Sequence, residues 1–330
     1  MKAITYCANS DQFQLQDLSV PQPRNNQVLV KVLACGLNPV DTKIVYWQSL
    51  VKDMGTDFVV GLDVVGEIIE VPTNETSWQV GDKVLFHGNM FDKHGGLAEY
   101  CLQDSRTLTA MPNIPDEFAA STPCAGWTAW RALVDKLRIH ERDSLLITGG
   151  SGGVGSFAIQ IAKHYGVETI IVTCSAKNID YVKQLGATHV INYQTQDVLE
   201  EVNRITLNKG VDVALDCVGG KSELLCANAL QFDGEMVELV ETADLTLYTS
   251  AKARGITVHQ LSLGAGYAHG DLGRRSILNA GLSFNKLLNQ RCIQPPQIRV
   301  IPLQEASEAL IKLRDKRTVG KVIVTFNEHS

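Results

Sequence analysis

SLLITGGSGGVGSFAIQIAKHYG, residues 144–166, decides the fold, because it reads as a buried strand running through a glycine turn into a helix. Ser144–Thr148 is a short apolar run suited to a central parallel strand. Val154, Phe157, Ala158, Ile161, Ala162 and Tyr165 then recur at helical spacing, and Gly166 ends the helix. Between the two elements, Gly150, Gly152 and Gly155 satisfy G-x-G-x-x-G: one glycine for the turn, one for close backbone approach to a pyrophosphate, one for helix–strand packing. Ser151, Gly153 and Val154 complete a cradle whose unpaired N–H groups sit at the positive end of the helix. A glycine-rich turn without a ligand is the alternative. The strand before it and the helix after it favour dinucleotide binding.

Outward from this stretch, 330 residues exceed what one hydrophobic core usually serves, so two domains are expected. The composition, 45% apolar and 20% charged, is that of a soluble globular protein, and no apolar run is long enough to span a bilayer. A net charge of −6 argues against nucleic acid or an anionic membrane as partner. The opening Met-Lys-Ala-Ile-Thr-Tyr lacks a signal-peptide pattern, which makes the cytoplasm the default location. The eight cysteines never fall into metal-ligand spacing and are expected to be reduced thiols, packed as small hydrophobes.

Residues 1 to 110 read as short strands separated by turns: Ala3–Cys7, Phe13–Leu18, Val28–Cys35, Val64–Val71, Lys83–Phe86 and Leu97–Leu102. That is a strand-rich, barrel-like unit. Two of its loops could hold chemistry. In Gly36–Gln48, Asn38 precedes Pro39 and is expected to be extended and to present its amide. In His87–Gly96, His87 and His94 are expected to be ordinary loop histidines. A helical run over 116–136 should be interrupted by Pro123. After the glycine turn, strands and helices alternate through Ile256–Leu261, the pattern of a doubly wound parallel sheet. Helices over Leu272–Asn289 and Gln304–Lys316 and a strand at Gly320–Phe326 close the chain.

These segments together resemble the medium-chain dehydrogenase/reductases, and within them the zinc-free quinone oxidoreductase branch. The resemblance is carried by ACGLNPVDTKI at 34–44, GLDVVGEI at 61–68, VGDKV at 80–84, GGLAEY at 95–100, PCAGWTAWRAL at 123–133, the glycine turn, LGATHVINY at 185–193 and GKVIV at 320–324. It implies an α/β architecture: a Rossmann domain over 123–261, and a GroES-like catalytic domain built from 1–122 and 262–330, with the active cleft between them. Zinc-dependent relatives place a catalytic cysteine and a His-Glu pair where this chain has Asn38 and Leu62-Asp63, and add a four-cysteine lobe that is missing here. The resemblance therefore implies no metal. Without a Lewis acid, hydride delivery to an already polarised alkene or quinone is easier than alcohol oxidation.

By the same resemblance, Asn38 and Thr128 flank the nicotinamide end of the cofactor, and the turn holding Val218 and Gly219 lies beneath it. Tyr46 is the candidate proton donor or oxyanion partner, although relatives often carry tyrosine where this chain has Lys43. Trp47, Phe91 and Tyr267 are candidate flat walls for a small planar carbonyl or quinone substrate, with core packing the alternative for Trp47. NADPH is expected over NADH, because Thr169–Lys177, TIIVTCSAK, has no acid to take both ribose hydroxyls. It offers Ser175 and Lys177 instead, and Tyr193 matches a place where relatives contact the 2′-phosphate. An enoyl-thioester reductase and an NADPH-binding structural protein are the alternative functions. A homodimer is expected, since relatives pair the sheet edge that corresponds to Ile256–Leu261.

Overall fold

In the computed structural model, residues 1–51, 54–72, 76–315 and 320–326 are described. The chain divides into two units, Met1–Trp127 with Leu263–Arg291 and Pro295–Ser330, and Thr128–Ser262 with Cys292–Gln294.

The first unit is strand-rich. It begins with β1 (Lys2–Cys7), β2 (Gln12–Asp17), β3 (Gln27–Gly36), β4 (Phe58–Val59), β5 (Asp63–Glu70), β6 (Lys83–His87), β7 (Tyr100–Asp104) and β8 (Thr109–Ala110). A three-stranded sheet runs β2-β1-β4. In the larger sheet β3 pairs antiparallel with both β5 and β7, and β5 passes the ladder on to β6 and β8. Alternation drives this arrangement: Val28, Val30 and Val32 of β3 face one core with Val64, Ile68, Val84 and Phe86. The strand expected over Leu97–Leu102 begins only at Tyr100. Gly95 and Gly96 bring the chain so close to its neighbours that a Cβ on Gly96 would lie 2.2 Å from Val64 Cγ2. Leu97 instead bonds Ile4 and Val60 through its backbone, linking to the smaller sheet.

The second unit holds β9 (Ser144–Thr148), β10 (Thr169–Cys174), β11 (His189–Asn192), β12 (Val211–Asp216), β13 (Leu230–Glu238) and β14 (Thr257–Gln260). They form one parallel sheet in the order β11-β10-β9-β12-β13-β14. The order reverses beside β9, the switch point at which such sheets open a ligand crevice at the carboxyl ends of their strands. Leu145, Leu146 and Ile147 of β9 are wholly buried, as a strand covered on both faces must be.

The chain then returns to the first unit. The Gly270–Asn289 helix packs on the Pro123–Trp127 turn, where a Cβ on Gly126 would lie 2.3 Å from the Phe284 ring. β15 (Ile298–Pro302) joins β16 (Lys321–Thr325) in parallel, and β16 pairs with β3. The helix expected over Gln304–Lys316 is Ala306–Arg314, and Lys316 lies outside the described residues. Around Pro123 the run is broken as expected: Asp116–Ala119 is α-helical, whereas Pro123–Trp127 and Arg131–Lys136 are π-helical. No described helix is long and apolar enough to cross a membrane.

Candidate functional site

At the end of β9, Gly149 takes the left-handed conformation with φ +67°, and the Gly153–His164 helix starts four residues later. The turn residue is therefore Gly149 rather than one of the three glycines of the motif. Gly150 serves packing instead, since its Cβ would lie 2.0 Å from Val172 Cγ1 on β10, and a Cβ on Gly155 would lie 2.5 Å from the Gly149 carbonyl oxygen. Gly150 N–H donates to the Thr173 carbonyl at 3.1 Å, tying the turn to β10. Asn178, which the sequence reading missed, donates to Ser151 Oγ at 2.9 Å and to Ser175 Oγ at 3.3 Å. It joins the glycine turn to the end of β10 and leaves both hydroxyl protons to be donated elsewhere. Lys177 and Tyr193 are exposed on the same carboxyl edge of the sheet. Across β9, Val218 is 48% exposed, and the Val218 and Gly219 N–H groups donate to Asp216 at 3.2 and 2.9 Å.

In the first unit, the sequence places a polar cluster where the antiparallel sheet is otherwise apolar. Asn38 is extended, with φ −129° and ψ 153°, as the following proline demands. Its amide is not presented outward: it donates to Asp63 Oδ2 at 2.9 Å and accepts from Lys321 Nζ, and the residue is buried. The expectation of a free amide fails because β16 brings Lys321 to β3 and supplies a partner that local sequence could not show. Asp63 is 0% exposed; its Oδ2 accepts Lys321 Nζ at 3.0 Å and its Oδ1 accepts the Cys124 N–H at 2.7 Å. Burial would lower the Lys321 ammonium, but Asp63 outweighs it and the pKa rises. Asp41 accepts the Asn38 N–H at 2.7 Å on one oxygen, while its other oxygen is buried with no partner among the described residues. Burial and the nearby Asp63 charge raise its carboxyl to about 7.

His87 is not a loop residue. It ends β6, buried, and burial lowers its pKa; its Nδ1 has no partner among the described residues. Backbone register with Asp63 explains the correction, since β5 and β6 pair at Asp63 and His87. His94 sits in the loop as expected and bonds Asp92 at 2.8 Å. Beside Asp41, a narrow cleft is lined by Ile44, Trp47, Phe58, Leu62 and Met90 together with the polar Asn89 and Asp92. Trp47 is both wall and packing, edge-on to Phe58 and Phe91 at 6.1 and 6.5 Å between ring centroids. Tyr267 is no wall: it is buried, and its hydroxyl bonds the His87 carbonyl and Gln103. Tyr46 is 83% exposed, apart from this buried cluster. Thr128 is buried at the start of the second unit.

Residues 24–131 match the family model of alcohol dehydrogenase GroES-like domains, and residues 153–265 that of zinc-binding dehydrogenases. Among curated proteins, the chain is 35% identical over 204 residues to a chloroplastic quinone-oxidoreductase homolog of Spinacia oleracea, covering 58% of this chain and 60% of that one. The quinone oxidoreductase structure from Coxiella burnetii superposes with a TM-score of 0.83 at 28% identity, over 99% of each chain. The chain belongs to the medium-chain dehydrogenase/reductase superfamily, in its quinone-oxidoreductase-like branch. A mycobacterial protein solved in complex with NADPH is 26% identical, with a TM-score of 0.83 over 99% of this chain and 100% of that one. The chain spans 60 to 66% of the length of the first curated relatives it matches.

Membership of the medium-chain superfamily raises the question of zinc, and the donor set answers it. Asp63, His87 and Cys124 each bring a ligand-type atom within 4.8 Å of the others, a grouping that the sequence reading missed because three separated stretches supply it. They do not fit the ion. Both Asp63 oxygens are engaged, and the Lys321 ammonium already supplies a positive charge at Asp63. A divalent cation would meet that ammonium as a like charge.

Proposed function

We propose that this protein is an NADPH-dependent reductase that delivers hydride to small quinones or α,β-unsaturated carbonyls without zinc. The observation that carries the reading is Lys321 bound to Asp63 and Asn38. A covalently attached cation stands among the residues that could otherwise ligate a metal, so the site lacks a Lewis acid to acidify an alcohol. Hydride transfer to an acceptor already polarised by its own carbonyl does not need one.

NADPH supplies the hydride when bound; the chain supplies position. Ser151, Gly153 and Val154 take the pyrophosphate at the start of the Gly153–His164 helix, on a turn shaped by Gly150, Gly152 and Gly155. Ser175, Lys177 and Tyr193 take the 2′-phosphate, with Asn178 orienting the Ser151 and Ser175 hydroxyls. Within the second unit, Thr128, Val218 and Gly219 stand at the nicotinamide end. Trp47 and Phe58, on the cleft beside Asp41, would give a flat acceptor an apolar wall to lie against. Tyr46 is the candidate proton donor, but at 83% exposure water can replace it, so Tyr46→Phe is expected to lower kcat by less than about tenfold.

The test is NADPH consumption, followed by absorbance, against a panel of quinones, enones, enals and enoyl thioesters, alongside elemental analysis. Turnover of quinones or enones with NADPH and no stoichiometric zinc is the expected result. An NADH preference, or one zinc per chain after dialysis, refutes the proposal. Turnover confined to enoyl thioesters, or binding of NADPH without turnover, selects the enoyl-reductase or the structural reading respectively.

A further inference from the structure

Two carboxyl groups at the carboxyl edge of the parallel sheet are left over once the dinucleotide site is assigned. Asp216 ends β12 and Glu238 ends β13, and they are register partners on adjacent parallel strands, so their side chains share one face of the sheet. They are 0% and 1% exposed. Asp216 accepts from Thr148 Oγ1 at 2.5 Å, Ser222 Oγ at 2.7 Å, and the Val218 and Gly219 N–H groups. That donor set suits an ionised carboxylate. Glu238 Oε1 accepts the N–H groups of Val240 at 2.6 Å and Glu241 at 2.8 Å, but its Oε2 is buried with no donor among the described residues. Two dry carboxylates side by side cannot both be charged, and a proton on Glu238 Oε2 satisfies both groups at once.

The turns that these carboxyls hold also touch. A Cβ on Gly219 would lie 2.9 Å from Val240 Cγ1, and the Gly220 N–H donates to Glu241 at 3.1 Å. We infer that Asp216 and Glu238 share a single proton, and that this proton clamps the 217–220 turn to the 240–241 turn at the nicotinamide end, making Glu238 a positioning residue for the reaction. The placement of the nicotinamide rests on the cofactor reading above; the shared proton does not.

Burial and the hydrogen bond with Asp216 raise the Glu238 carboxyl to about 8. The titratable groups facing it are Asp216 at the end of β12, Cys217 in the turn after it, Cys226 from the Lys221–Ala229 helix, and Tyr248, which bonds Glu223; opposite it on β14 stands the neutral Gln260. Burial raises both thiols and the Tyr248 phenol, so Glu238 is the group that changes charge near neutrality. Its folded pKa lies above the 4.5 of an unperturbed glutamate. The folded chain therefore holds a proton that the unfolded chain lacks, and stability falls as pH rises through that window and levels off above about 8. Cofactor affinity, which depends on the clamp, should instead hold below about 8 and weaken above it.

The experiment compares the wild type with Glu238→Gln, whose amide can donate to Asp216 permanently. The gap in melting temperature of the cofactor-free proteins should widen from pH 5 to about 8 and then stay constant. The wild-type Kd for NADPH, read by fluorescence, should weaken by at least about fivefold between pH 7 and 9.5, while that of the variant stays flat. Parallel melting curves overturn the shared proton, and parallel Kd profiles overturn the clamp. Failure of both proteins to bind NADPH at any pH overturns the cofactor reading and the clamp with it, while the melting curves still decide the proton. Should the variant not fold, infrared spectra of the wild type decide the proton: a protonated-carboxyl stretch present at pH 7 and lost by pH 9.5 supports it, and its absence at pH 7 overturns it.

Discussion

At the residue scale, Lys177 and Lys321 show how one side-chain type serves two ends by burial alone. Lys177 is exposed beyond β10 with no carboxylate in the preceding strand, so its charge is available to a phosphate. Lys177→Ala is expected to raise KM for NADPH by roughly tenfold, the ~1.4 kcal/mol of one partly exposed charge-assisted contact, and to leave NADH almost untouched; steady-state kinetics with both cofactors checks this. Lys321 is buried, and its removal leaves the Asp63 charge without its cation. Lys321→Met should cost about 3–5 kcal/mol in denaturant unfolding, with Asp63→Asn in the same chain recovering part of it. The exposed place of Lys177 just after β10 was legible from the strand-end pattern. The role of Lys321 was not, since 258 residues separate it from Asp63.

At the element scale, the strand–turn–helix of residues 144–166 was readable because its pattern is local: an apolar run, then glycines, then helical spacing. What each glycine does was less readable. Gly149, outside the motif, takes the positive φ, and Gly155 faces the Gly149 carbonyl oxygen at a distance no Cβ tolerates. Gly155→Ala must therefore shift backbone rather than a side chain. It should weaken NADPH binding by at least about tenfold and lower the melting temperature, read by titration and thermal denaturation. Leu97–Glu99 escaped the strand pattern for the opposite reason. Leu97 and Ala98 are both wholly buried rather than alternating, and close packing at Gly95 and Gly96 diverts the Leu97 backbone bonds to Ile4 and Val60.

At the scale of the whole molecule, β14 closes one edge of the six-stranded sheet, with no neighbour on its far side among the described residues. An open edge carrying Ile256 and Val258 is a template for a second copy, so the protein is expected to sediment as a dimer at micromolar concentration and Val258→Pro to shift it towards monomer. A single-chain mass for the unmodified protein would count against this. The sequence by itself determined the parallel sheet, the glycine turn and the absence of an acid after β10, because each depends on residues within one strand, turn and helix. Only the tertiary structure decided that Asn38 spends its amide on Asp63 and Lys321, that His87 is buried beside Cys124, and that Asp216 stands against Glu238. Those pairings are made by the register of β16 on β3, β5 on β6 and β12 on β13, and whether a buried charge finds a partner is set by that register, which local spacing does not encode.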